Sequence, residues 1–179
     1  MNKFVNILFL GLCVFFISYL CIPSIGLPKL PVGAVLSDEP ADTEYVYRRA
    51  YFTDFNREEI VFFYKSEFRK TYIIGRLFFP LRLNYPPEAA QTIIRDQTRS
   101  TFLEEITYPL RDSIYINGFE PKVAKDEVWY KGVHYRQKIT VRYVPGSLFL
   151  RLMVGLGVII FSWLMCWQWM GLFSKRIKL

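Results

Sequence analysis

The chain has 179 residues, of which 52% are apolar and 18% aromatic, and a formal net charge of +7. Its mean hydropathy of +0.16 is too high for an ordinary soluble domain, and its 22% of charged residues is too many for a polytopic transporter. The apolar excess gathers at the two ends, which predicts membrane segments around a folded middle.

Residues 4–22, FVNILFLGLCVFFISYLCI, carry no charge. As a helix this run measures about 28 Å, close to the hydrocarbon thickness of a bilayer, and in lipid only a helix satisfies such a backbone from within. Residues 1–22 are therefore expected to form a transmembrane helix. The alternative is a cleaved signal peptide led by Lys3. Against it, the run exceeds the usual apolar core of such a peptide, and Ser24 and Gly26 are its only small-residue candidates for cleavage. Residues 23–43 hold four prolines and two glycines without a period, as in an extended linker.

Residues 44–147 read as an extracytoplasmic α+β domain, a small antiparallel or mixed sheet with two to three helices. Its element order would suit a ferredoxin-like sandwich. Residues 44–53 are aromatic-rich and β-prone. Asn56 and Glu59 then form a capping box, flanked by Phe55 and Ile60, ahead of a helical stripe of Ile60, Phe63, Tyr64 and Phe68. Residues 71–85 alternate like a strand, with Pro80 demanding an edge or a break. Pro86 and Pro87 open a helix over 86–98. Residues 100–121 read as a helix through Leu103, Ile106, Leu110 and Ile114 that closes at Gly118. The alternative there is two strands flanking Pro109. Residues 121–145 read as a hairpin turning at Lys131 and Gly132, with Val133, Tyr135, Ile139, Val141 and Tyr143 on one face of its second strand.

Only VPGS at 144–147 separates that strand from the second apolar run, so the domain is expected to sit close to the bilayer. Residues 152–173 are again uncharged, and residues 148–173 are expected to form the second transmembrane helix. Arg151 lies at its start. Trp163, Trp167 and Trp169 suit the membrane boundary, and Lys175, Arg176 and Lys178 form a basic tail at 174–179. All 16 acidic residues lie between the two runs. The bias of basic residues predicts a two-pass protein of the plasma (inner) membrane with both termini cytoplasmic.

Chemistry-bearing motifs are sparse. His134 is the only histidine, and Cys13, Cys21 and Cys166 all fall in or beside the apolar runs, so no zinc site is expected in the domain. Glu58–Glu59 and Glu104–Glu105 read as solvated helix starts, since adjacent helical residues do not share a face. No catalytic, metal or cofactor-binding residue is assigned, and no cofactor is expected. One basic stripe stands out: Arg136, Lys138 and Arg142 alternate along the last strand, and Arg151 continues the charge toward the membrane. It suits an anionic lipid or polymer; nucleic acid is not expected. Gly11 and Ser18 in the first run, and Gly155, Ser162 and Cys166 in the second, recur at spacings that permit close helix packing. The expectation is a non-enzymatic protein anchored in the bilayer whose domain binds a membrane protein partner or a second copy. The alternatives are a ligand-sensing or anionic polymer- or lipid-binding module and, further off, a carboxylate-based enzyme.

Overall fold

The computed structural model describes residues 3–24, 26–70 and 78–176. In chain order the first elements are α1 (Lys3–Leu20), β1 (Val35–Leu36), α2 (Pro40–Thr43), β2 (Arg48–Thr53), α3 (Arg57–Lys70) and β3 (Leu81–Tyr85). A 3-10 turn leads into α4 (Ala90–Ile93), followed by β4 (Phe102–Tyr108) and β5 (Asp112–Phe119). Then come β6 (Val128–Tyr130), β7 (Val133–Tyr135), β8 (Gln137–Val144) and α5 (Leu148–Arg176). They divide into two units, residues 1–23 with 146–179, and residues 24–145.

The first unit is a helix pair. Both α1 and residues 148–171 of α5 are long and apolar enough to cross a membrane. Their apolar side chains are largely uncovered, among them Phe4, Ile7, Leu10 and Leu12 on α1 and Phe149, Ile160, Phe161 and Trp167 on α5. A helix in the core of a soluble protein would bury this surface. The helices meet where Gly155 lacks a side chain: the Leu20 methyl occupies the space a Cβ would take, and the Phe16 ring follows at 3.5 Å. Arg151 Nη1 donates to the Ile22 carbonyl at 2.9 Å, which satisfies an acceptor just past the end of α1.

The second unit is an α+β fold. Its six-stranded antiparallel sheet runs β1-β2-β8-β5-β4-β3, with β6 and β7 forming a separate two-stranded sheet. This is not the order of a ferredoxin-like sandwich, because residues 100–121 supply two central strands instead of a helix. They misled because Leu103, Ile106 and Ile114 fall at helical spacing by coincidence: β4 and β5 are buried on both faces, and such strands lose the alternation of a half-buried one. The break between them is a turn in which Arg111 N–H donates to the Tyr108 carbonyl at 2.9 Å. Pro109 takes its first central position and Leu110, at φ 62°, its second, as in a type II turn.

Two layers cover the sheet. On one face α3 buries Ile60, Val61, Tyr64 and Phe68, with the Phe68 and Tyr108 rings 5.1 Å apart. The expected capping box starts this helix: Asn56 Oδ1 accepts from Glu59 N–H at 2.9 Å, and Glu59 Oε2 accepts from Asn56 N–H at 2.7 Å. On the other face Ala90 and Ile94 pack on Leu103, while the β6–β7 hairpin lays Val128 and Tyr130 on Phe52. That hairpin turns at Lys131 and Gly132, both at positive φ. Of the alternating stretch 71–85, residues 71–77 lie outside the described residues, and Pro80 immediately precedes β3.

Further expectations change. The helix expected over 86–98 is confined to a 3-10 turn at Pro87–Ala89 and α4, which ends at Ile93. The segment 23–43 is not a free linker: Val35 pairs with Phe52, Ser37 N–H donates to the Ala50 carbonyl, and Asp42 is buried. The second hairpin strand is not continuous either, since Arg136 bends the chain out of β7 and into β8.

Gly118 has a packing reason rather than a helix-ending one. It stands opposite Phe102, whose ring lies in the space of the missing Cβ, and the Arg57 guanidinium stacks over that ring at 5.1 Å. Gly118→Ala is expected to cost about 1–3 kcal/mol, read as a lowered thermal midpoint of the detergent-solubilised chain. Adding Phe102→Leu should recover part of the loss, whereas additive losses would mean that the two positions do not share this space.

Candidate functional site

Three arrangements of charged residues stand out in the domain. The first is centred on Glu104, a fully buried carboxylate on the α3-covered face. Arg57 binds its Oε1, Arg82 reaches both oxygens at 2.8 and 2.9 Å, and Arg82 also clasps Glu58 at 2.7 and 2.8 Å. Burial pushes the Glu104 carboxyl up, but hydrogen bonds from Arg82 and Arg57 outweigh it and hold the group below the ordinary glutamate range. Arg82 is raised in turn by Glu104 and then Glu58. Glu105, one residue on, points to the opposite face. It accepts from the Tyr85 and Ser113 hydroxyls at 2.5 Å each. The Tyr85 hydroxyl is pushed up to about 12, chiefly by this bond, and Tyr115 to about 12 by burial and then by Glu105. The carboxylate pair read as a solvated helix start is therefore a pair of buried strand residues, each consumed by its own partners.

The second arrangement is centred on buried Asp42. It accepts from Ser37 Oγ at 2.7 Å and pairs with Lys138 at 2.7 Å and with Arg48 at 3.8 Å. Lys138 also pairs with Glu39 at 2.7 Å. Burial lowers the Lys138 ammonium, but Asp42 and Glu39 together leave it raised.

The third is a cavity of about 430 Å³ on the same face, between the approach to β2, the α4 segment and the end of β8. Its wall includes Arg48, Arg95, Arg142, Tyr45, Tyr47 and Ile94, and holds no aspartate or glutamate. Arg48 and Arg142 are direct cross-strand partners. Arg142 donates to the Ile93 carbonyl, and Arg95 lies within 3.5 Å of the Tyr45 hydroxyl. Such a cavity has the size and the mixed apolar and cationic wall of a site for a small anion-bearing molecule. Among the described residues, no group of three His, Cys, Asp or Glu side chains converges as a metal site.

The basic stripe expected from alternation is thus distributed. Arg142 reaches the cavity, Lys138 is committed to Asp42 and Glu39, and Arg136 sits at the bend, paired with Glu120 at 2.7 Å. Arg151 belongs to the helix pair and is buried there, not offered to a surface. Of the small residues, Gly155 lies at the α1–α5 contact. Gly11 has open space around it, Ser18 bonds to the Val14 carbonyl of its own helix at 2.8 Å, Ser162 is half-buried and Cys166 exposed. Trp163, Trp167 and Trp169 are exposed on α5, which runs on to Arg176 and so takes in Lys175; Lys178 lies outside the described residues. Arg48, Arg95, Tyr45 and Tyr47 were not singled out from sequence. The only local signal was the aromatic and basic run YVYRRAY at 45–51, and its partner Arg142 is far away in the chain. No family model, curated protein or solved structure matches this chain.

The Glu104 cluster generates a pH prediction. Its carboxyl is held low in the folded state, so its contribution is present above the ordinary glutamate range and is lost as pH falls through the folded value. Glu104→Gln should destabilise the domain by about 1–3 kcal/mol at about pH 7, with the gap from the parent shrinking toward about pH 3. Thermal melts followed by circular dichroism at several pH values check this; a gap independent of pH would contradict it.

Proposed function

We propose that the chain is a two-pass protein of the plasma membrane that holds a non-enzymatic α+β binding domain at the extracytoplasmic surface. The observation that carries this is the pair of helices at the two ends of the sequence, long, apolar and, away from their mutual contact, largely uncovered by protein. A bilayer supplies the missing cover, as water would not. Lys3 and the cluster Lys175, Arg176 and Lys178 favour the cytoplasm for both termini, and Trp163, Trp167 and Trp169 suit a boundary layer. Gly11 has open space around it, and Ser18 and Cys166 are exposed, which leaves their faces for a membrane partner or a second copy.

A binding role is favoured over catalysis by the state of the carboxylates. A general acid or base needs a group within reach of a substrate proton. Glu104 is closed in by two arginines and Glu105 by hydroxyl groups, while the cavity wall carries cations and phenols.

The chain should remain in the membrane pellet after alkaline carbonate extraction. Protease added to sealed cells should degrade the domain and spare a tag on the C-terminal tail. Release into the carbonate supernatant would sink the anchor, and a trimmed tag beside an intact domain would invert the orientation.

A further inference from the structure

We propose that the cavity walled by Arg48, Arg95 and Arg142 is a receptor site for a phosphate monoester whose organic part stacks on tyrosine. This deepens the reading of the domain as a binding module and rests on it, but it uses residues of the second unit alone.

Arg48 and Arg142 face each other directly across β2 and β8, a placement that is destabilising for like charges unless something neutralises them. Lys138 projects from the same face of β8, four residues from Arg142. Only two carboxylates serve these three cations. Glu39 pairs with Lys138, and Asp42 gives its short contacts to Lys138 and Ser37, leaving Arg48 at 3.8 Å. Arg142 makes no ion pair among the described residues; it donates to the neutral Ile93 carbonyl.

The Arg48 side chain is only 5% exposed, and its Nε has no hydrogen-bond partner. A buried guanidinium normally has its donors engaged. One left this way in a cavity wall is poised to turn toward an anion that enters.

Arg95 and Asp96 both hold positive φ, 37° and 63°. Consecutive non-glycine residues in this region cost free energy, and strain of this kind collects where a side chain must be placed. Arg95 stands in the cavity wall beside this kink, with the exposed Asp96 and Glu44 carboxylates at 3.4 and 3.8 Å on its outer side, loose pairs that an entering phosphate can outcompete.

The ligand class follows from these features. Planar guanidinium forks match the oxygens of phosphate, several at once. A phosphate monoester carries nearly two negative charges at neutral pH, which balances Arg48 and Arg142 together where a carboxylate would balance one. Tyr45, Tyr47 and Ile94 then offer an aromatic and apolar wall to the rest of the molecule. Such a phosphate could belong to a soluble ester or to the headgroup of a phosphomonoester lipid.

The test uses the full-length chain in nonionic detergent, titrated calorimetrically with phenyl phosphate, phenylacetate, phenol and short-chain phosphatidic acid. Phenyl phosphate should bind, phenol should not, and phenylacetate should bind at least about tenfold more weakly. Arg142→Gln and Arg95→Gln should each weaken phenyl phosphate about tenfold or more, whereas Arg136→Gln should change it less than about twofold. Equal thermal midpoints for these variants would show that the fold is intact. Tighter binding of phosphatidic acid than of phenyl phosphate identifies the lipid as the source, and equal or weaker binding the soluble ester. Silence of both phosphates up to about 10 mM, indifference to Arg142→Gln combined with Arg95→Gln, or parity of phenylacetate with phenyl phosphate would each overturn the proposal. These outcomes do not depend on the protease and extraction results, so a failed site and a failed anchor can be told apart.

Discussion

The domain depends on the insertion of β8 between β2 and β5. Five of its eight residues, 138–142, are paired on both sides, and Ile139, Val141 and Tyr143 put its buried face against the layer that α3 covers. The same pairing decides the chemistry of the opposite face. It sets Lys138 beside the folded-back segment that carries Asp42, and it brings Arg142 in front of Arg48. A slip of β8 by one residue would send every cation of that face into the apolar layer and every apolar side chain out. Register and charge therefore guard each other.

Polar groups inside the sheet are handled in pairs rather than avoided. Glu104 and Glu105 leave the same strand in opposite directions, one into arginines and the other into hydroxyls. Both are nearly inaccessible, so each would be costly without its partners. The Glu104 cluster ties α3 to β3 and β4 through Arg57 and Arg82, and Phe102, folded over Gly118, supports Arg57 from below. Arg48 is held differently: its Nε is buried without a hydrogen-bond partner, and the residue stands in the cavity wall.

What could be read from sequence was whatever is written locally. The Asn56–Glu59 capping box, the turn at Lys131–Gly132 and the two apolar terminal runs each depend on residues within a few positions of one another, and each stands in the structure. Residues 100–121 were harder because a strand buried on both faces has no period to read, and a chance helical spacing filled the gap. The Pro-rich stretch at 23–43 lacked any pattern, yet it folds back on the sheet, pairing Val35 with Phe52 and placing Asp42 against Lys138, a partner from the far end of the domain that leaves no local trace. The cavity was invisible for the same reason. Arg142 was noticed as part of an alternating stripe, but Arg48 and Arg95 acquire meaning only when strands from opposite ends of the domain are laid side by side.

The late position of β8 in the chain has a consequence for synthesis. When β2, β4 and β5 have left the ribosome, the slot between β2 and β5 is still empty, and two strand edges stand open to mispairing. The strand that fills it comes last, with α5 only three residues behind. Closure of the sheet and delivery of the second apolar helix are thus nearly simultaneous events, and a nascent chain halted before that point would hold an unfinished sheet however long it waited.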